Sequence, residues 1–136
     1  MQLKDIITTS VETVTPDASL ADAAKIMKSQ DLGWLPVTQD KRVMGIITDR
    51  DITIRCIAEG KDPRQCKVQD VMSRDVFACE IDDSIEDACK TMEEEQVRRL
   101  VVLDANENLV GVVSLADLAE QTDESDEVLK KVTEPS

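Results

Sequence analysis

The sequence predicts an α+β protein made of two copies of one strand, helix, strand, strand, helix unit. Three observations carry this. The chain repeats itself at an offset of 65 residues, each copy holds one helix-length segment with a single apolar stripe, and each holds two short β-rich runs parted by a polar turn.

The repeat sets the frame. Asp5 pairs with Asp70, Val11 with Val76, Asp17 with Asp82, Ser19 with Ser84, Asp22 with Asp87, Ala23 with Ala88, Met27 with Met92, Leu35 with Leu100 and Val37 with Val102. One inserted residue then moves the offset to 66, laying GIITDRDI (Gly45 to Ile52) over GVVSLADL (Gly111 to Leu118). The insertion belongs in a loop, because a one-residue slip within a strand turns every side chain to the wrong face. The repeats divide the chain at 1–65 and 66–121, leaving an acidic stretch at 122–136 that reads as a mobile tail or at best a short docked helix.

Taken in order, VETVT is a β-branched run ended by Pro16, and Ser19 with Asp22 three residues later resembles a capping box at a helix start. That helix places Leu20, Ala23, Ala24 and Met27 on one face, and its second copy does the same with Ile85, Ala88, Cys89 and Met92. WLPVT and VMGIIT then form an antiparallel hairpin candidate around QDKR, matched by RLVVL and LVGVVS around DANEN. A closing helix starts at Thr48 and carries Ile52, Ile54 and Ile57; its counterpart starts at Ser114 and stops near Glu120. EGKDPRQCK (Glu59 to Lys67) links the copies through Gly60 and Pro63. One copy is a marginal size for folding alone, so the expectation is that the two sheets pack on each other about a pseudo-twofold axis, with a cleft at either side of the seam.

Composition removes whole classes of function. A net charge of −13 with no Lys/Arg run repels a phosphodiester backbone, and aromatics at 1% offer no stacking platform, so nucleic acid is not an expected partner. Without His, and with Cys56, Cys66, Cys79 and Cys89 spaced too widely for paired ligands, the cysteines read as buried free thiols and no metal is expected. No segment has the apolar length of a signal peptide or a bilayer span, which predicts a cytoplasmic protein without a membrane partner. Nor is there a nucleophile elbow, a P-loop or any other catalytic constellation, so no enzyme is expected.

The motif that carries chemistry is a strand ending in Gly and two aliphatics, then Thr or Ser, two variable residues, and Asp. It occurs as Gly45 to Asp51 and again as Gly111 to Asp117. Thr48 and Ser114 serve as helix N-caps with Asp51 and Asp117 at the third helical position. A carboxylate there also suits a ribose diol, and a cap hydroxyl suits a phosphate; the matched pair in a duplicated frame favours that functional role.

This repeat length and motif resemble CBS domains, over roughly Leu3 to Glu120. TDRDI (Thr48 to Ile52), AEGKDP (Ala58 to Pro63) and QVRRL (Gln96 to Leu100) are similar to the small bacterial two-domain proteins related to hypoxic response protein. QVRRLVVL and GVVSLADL also resemble the last repeat of the γ subunit of AMP-activated protein kinase, which binds AMP, ADP and ATP. The resemblance implies tandem βαββα repeats and a regulatory, non-catalytic module that holds an adenine nucleotide (AMP, ADP or ATP) or S-adenosylmethionine at the seam. That nucleotide would be a regulatory ligand, with no cofactor required. Carried over, one cleft uses Ser114 and Asp117 on phosphate and ribose, Arg98 and Arg99 on phosphate, and the backbone of Thr8, Thr9 and Gly33 around adenine. The other uses Thr48, Arg50 and Asp51 with Ser73, Arg74 and Val97. Trp34 stands where the family often has a small residue, placed to stack on a purine or to block one, and Ala116 replaces a polar residue of some nucleotide-binding copies. A homodimer and a protein target, not identified by the sequence, are the implied partners. A ligand-free dimerisation module is the alternative, and Arg98 and Arg99 then pair only with Glu93, Glu94 or Glu95.

Overall fold

The computed structural model describes residues 2–119; the acidic stretch at 122–136 and the helix end near Glu120 lie outside them. The described chain is mixed helix and strand, and it forms two compact units that do not follow the repeat boundaries. Residues 12–76 form one unit, and residues 2–11 with 77–119 form the other.

In the unit of residues 12–76, α1 (Leu20–Gln30) starts where Ser19 Oγ accepts the Asp22 N–H at 3.0 Å, and it ends at Asp31 in the left-handed region. Leu20, Ala23 and Met27 are buried, but Ala24, expected in the same stripe, is exposed. On the opposite flank the larger Ile26 packs against the core instead. In the second repeat the corresponding flanks hold Thr91 and Cys89, and there Cys89 is the buried one. Each helix turns its more apolar flank inward.

The β-branched run VETVT does not form an extended strand. Only Val14 pairs, bridging Val37 in parallel through bonds to Pro36 and Thr38 at 3.1 and 2.8 Å, and Pro16 removes the next donor. Strands β1 (Trp34–Gln39) and β2 (Arg42–Thr48) pair antiparallel around Asp40 and Lys41, whose φ values of 52° and 70° are those of a tight two-residue hairpin turn. Helix α2 (Asp49–Ile52) runs into a π turn at Thr53–Ile57. Ile52 and Cys56, four residues apart, are the inward positions, whereas Ile54 and Ile57, expected beside Ile52, stand 47% and 53% exposed. Beyond Gly60, α3 (Val68–Val71) buries Val68, Val71 and Met72 in the core of this same unit.

The other unit repeats the plan. Strand β3 (Ala78–Glu80) pairs parallel with β4 (Arg99–Leu103), which pairs antiparallel with β5 (Leu109–Ser114); α4 (Ile85–Glu95) covers the sheet and α5 (Leu115–Ala119) follows β5. The hairpins share a bulge at equivalent places, between Val37 and Thr38 and between Val102 and Leu103. Leu3, at the head of the chain, lies fully buried among Met92, Leu100, Val113 and Leu118.

The two repeats therefore exchange their opening segments. Residues from Leu3 to Thr8 pack on β5, where Thr8 and Val112 bond to each other twice at 2.9 Å. Residues from Val68 to Ser73 pack on β2, where Ser73 and Ile46 do the same at 2.9 Å. The motif glycines admit this contact. A Cβ on Gly45 would lie 2.6 Å from the Ser73 carbonyl oxygen, and one on Gly111 would lie 2.8 Å from that of Thr8.

Candidate ligand site

Each Thr/Ser-x-x-Asp motif folds as a capping box at a strand-to-helix junction. Ser114 Oγ accepts the Asp117 N–H at 3.1 Å, and Asp117 Oδ2 accepts the Ser114 N–H at 2.9 Å. Thr48 and Asp51 exchange the same two bonds at 3.0 Å each. The structural role weighed from sequence is thus real, and it occupies one oxygen of each carboxylate. Oδ1 of Asp117 and of Asp51 takes no hydrogen bond from any described residue, so each half-buried carboxylate keeps an acceptor for another group.

The junctions are held alike by backbone and furnished differently by side chains. Leu115 N–H donates to the Arg98 carbonyl at 2.8 Å, and its counterpart Asp49 N–H donates to the Gly33 carbonyl at 3.0 Å. In the second repeat this brings Arg98 and Arg99 beside the motif, around a cavity of about 450 Å³ lined by Arg98, Arg99, Ser114, Leu115, Ala116 and Ala119. Both arginines are exposed, and among the described residues neither forms an ion pair, with Glu93, Glu94 and Glu95 or with any other carboxylate. In the first repeat Gly33 and Trp34 replace the arginines. The Asp49 carboxylate fills the space over Gly33, its Oδ2 being 2.9 Å from where a Cβ would sit. A negative group stands where the second repeat has the apolar Leu115.

The remaining expected residues sort by unit. Thr8, Thr9 and Val97 fall in the unit of Ser114 and Asp117; Gly33, Trp34, Arg50, Ser73 and Arg74 fall in the unit of Thr48 and Asp51. Thr8 and Ser73 have both their N–H and C=O groups bonded across to Val112 and Ile46, and Val97 N–H bonds to Met92 O at 3.1 Å, so their backbone donors are already used. Thr9, Arg50 and Arg74 are exposed, and Trp34 is half-buried opposite Thr48 in the hairpin register. Ala116, noted as replacing a polar residue, lines the cavity, and Ala119 joins it as a lining residue not expected from sequence. Their signal was present in the sequence as two small residues three apart, which leave one helical face bare.

The CBS domain profile matches residues 3–56 and 68–123. The chain belongs to the CBS domain family. It is a CBS domain pair, a regulatory module. The CBS domain-containing protein YhcV of Bacillus subtilis is 43% identical over 117 residues, spanning 86% of this chain and 82% of YhcV. The crystal structure of hypoxic response protein I, which has two coordinated zinc ions, superposes with a TM-score of 0.80 at 34% identity over 90% of this chain and 99% of that one. The CBS domain pair of MJ0100, in complex with 5′-methylthioadenosine and S-adenosyl-L-methionine, superposes with a TM-score of 0.75 at 25% identity over 88% and 98%. Among the described residues no three Cys, Asp or Glu side chains cluster as a metal site, and no helix is long and apolar enough to cross a membrane.

Proposed function

We propose that this CBS pair is a sensor of adenine nucleotides, that its phosphate-binding site is the junction of the second repeat, and that ligand acts by changing how the repeats or two protomers pack. The observation that carries this reading is the pair of arginines at the 450 Å³ cavity, without ion pairs among the described residues of a chain of net charge −13. So many carboxylates would neutralise a purely structural cation. The cavity volume lies within the range of small-molecule sites, and planar guanidinium groups bind phosphate oxygens bidentately through charge-assisted bonds. Ser114 Oγ and the remaining oxygen of Asp117 supply a hydroxyl and a diol acceptor beside them. The first-repeat junction has Asp49 in place of Leu115 and sets the single Arg50 of its motif against the Arg98 and Arg99 pair, which makes it the weaker phosphate site of the two. The adenosine moiety common to both MJ0100 ligands supports an adenosine-containing ligand here.

Calorimetry with AMP, adenosine and GMP tests the assignment. AMP binds more tightly than adenosine and GMP less well, and Arg98→Ala with Arg99→Ala weakens AMP by tenfold or more while leaving adenosine nearly unchanged, since a hydrogen bond to a charged group is worth about 1.5–3 kcal/mol. Arg→Lys restores part of the loss, and added salt weakens AMP in the wild type. Equal affinities for AMP and adenosine that fall equally in the double variant would overturn the phosphate site. No heat and no melting shift with any of them would favour a ligand-free dimerisation module, for which exposed Leu32, Met44, Ile54 and Ile57 offer apolar surface.

A further inference from the structure

We propose that Cys56 and Cys66 are a redox-responsive dithiol that closes to a disulfide across the segment joining the two repeats. Both thiols belong to the unit of residues 12–76. Cys56 is fully buried at an inward position of the π turn, and Cys66 is half-buried against the same core cluster. Cys56 is bonded to Lys61, and the carbonyl of the next residue, Asp62, accepts the Cys66 N–H at 3.0 Å, so the loop brings both cysteines against one core cluster. The segment between them is already drawn into a tight loop: Lys61 N–H donates to the Cys56 carbonyl at 3.0 Å, and Cys56 Sγ donates to the Lys61 carbonyl at 3.5 Å. Cys79 and Cys89, both buried, lie in the other unit.

Burial, the neighbouring Cys66 thiol and the nearby Asp62 all push the Cys56 thiol up, so it is a poor first nucleophile. Cys66, the accessible member, is the point of entry. With a low-molecular-weight disulfide as oxidant, the Cys66 thiolate attacks one oxidant sulfur, forms a mixed disulfide and releases one thiolate. Cys56 then gives up its proton to solvent and attacks the Cys66 sulfur, which releases the second thiolate. Two protein thiols are oxidised and one oxidant disulfide is reduced to two thiols.

Closure would act on the fold beyond the loop. The Cys66 carbonyl accepts the Leu20 N–H and the Pro63 carbonyl accepts the Ala21 N–H, both at 3.0 Å, so this segment satisfies donors in the first turn of α1. A disulfide across it restrains those carbonyls and shortens the free loop of the unfolded chain.

The test uses the full chain, reduced, then exposed to oxidised glutathione and analysed by intact mass, tryptic mapping and thermal unfolding. The expected product is an intact monomer lighter by two hydrogens. Trypsin then yields the peptide from Cys56 to Lys61 joined to that from Gln65 to Lys67. The melting temperature rises by roughly 10 °C, as for a disulfide closing a loop of about ten residues, and dithiothreitol reverses every change. Cys66→Ser abolishes the product. Cys56→Ala, which keeps the entry thiol, stops at a stable glutathione adduct on Cys66. A wild type that also stops at that adduct, links Cys66 between chains, or oxidises at Cys79 or Cys89 first overturns the proposal.

Discussion

Replacing Gly45 by Ala tests the exchange of opening segments directly. The added Cβ would sit 2.6 Å from the Ser73 carbonyl oxygen and 2.8 Å from Met72 Sδ. Ordinary contact begins near 3.4 Å, so the Ser73 backbone must retreat by about 0.8 Å. The two bonds between Ser73 and Ile46 are 2.9 Å long and would stretch beyond hydrogen-bond range. Losing them costs about 1 kcal/mol each, and shifting buried Val71 and Met72 adds about 1 kcal/mol of packing. The expected destabilisation is therefore about 3 kcal/mol. Urea unfolding followed by circular dichroism should show a lower midpoint with an unchanged slope. Gly111→Ala should behave alike through Thr8, somewhat relieved because part of the clash is with the mobile end of Ile7. Gly60→Ala is the control: its φ of +74° costs about 1 kcal/mol by backbone strain, but no atom lies within 4 Å. If Gly45→Ala matches or outperforms Gly60→Ala in stability, the glycine does not hold the opening segment in place and the reasoning fails.

Asp117→Asn keeps an amide oxygen for the Ser114 N–H and should retain stability to within about 0.5 kcal/mol, whereas Asp117→Ala should lose about 1 kcal/mol of cap; urea melts distinguish them, and calorimetry with AMP should show both variants weakened. In the native protein, a thiol reagent at pH 8 should label Cys66 well ahead of Cys79, whose thiol burial pushes up to about 12; equal rates would refute the difference in burial. The same group makes stability pH-dependent: its contribution is full below the ordinary cysteine value of about 9 and is lost as pH rises through about 12, so Cys79→Ala should flatten the alkaline decline in melting temperature. Arg64, bonded to Asp62 at 3.2 Å, holds that carboxyl below its ordinary value of 3.8, and the stability so gained is present above that value and lost on further acidification. Arg64→Ala should move the Asp62 titration upward, as read by carboxyl NMR.

What the sequence made legible was whatever depends on local chemistry repeated twice. Ser19 and Ser84 cap helices as their spacing to Asp22 and Asp87 requires, both hairpins stand where the β-rich runs lie, and the Thr/Ser-x-x-Asp junctions are built as paired caps. Two kinds of feature were not legible. One is burial that depends on a partner far along the chain: only the fold shows Leu3 and Val68 each completing the core under the other repeat's strands. The other is which side of the closing helix faces inward, because the three isoleucines do not share one face and the fold buries Ile52 with Cys56 while Ile54 and Ile57 are exposed.

The exchange also gives the motif glycine a physical reason. Read from sequence, Gly45 and Gly111 looked like the first letters of a ligand motif; in space they leave room for the Ser73 and Thr8 carbonyls to pair with the strand just before the cap. A local motif is thereby tied to a distant segment, so any movement of Leu3 to Thr8 is transmitted through Val112 to the backbone two residues from Ser114. The corresponding path runs from Ser73 through Ile46 to Thr48. Under the proposed function, ligand contact at a cap would be coupled to the opening segment through these bonds. The difference between the junctions is the basis on which the second is proposed as the phosphate site. Arg98 and Arg99 present positive charge beside the Ser114 cap, whereas Asp49 presents negative charge beside the Thr48 cap, and the backbone beneath the two is the same.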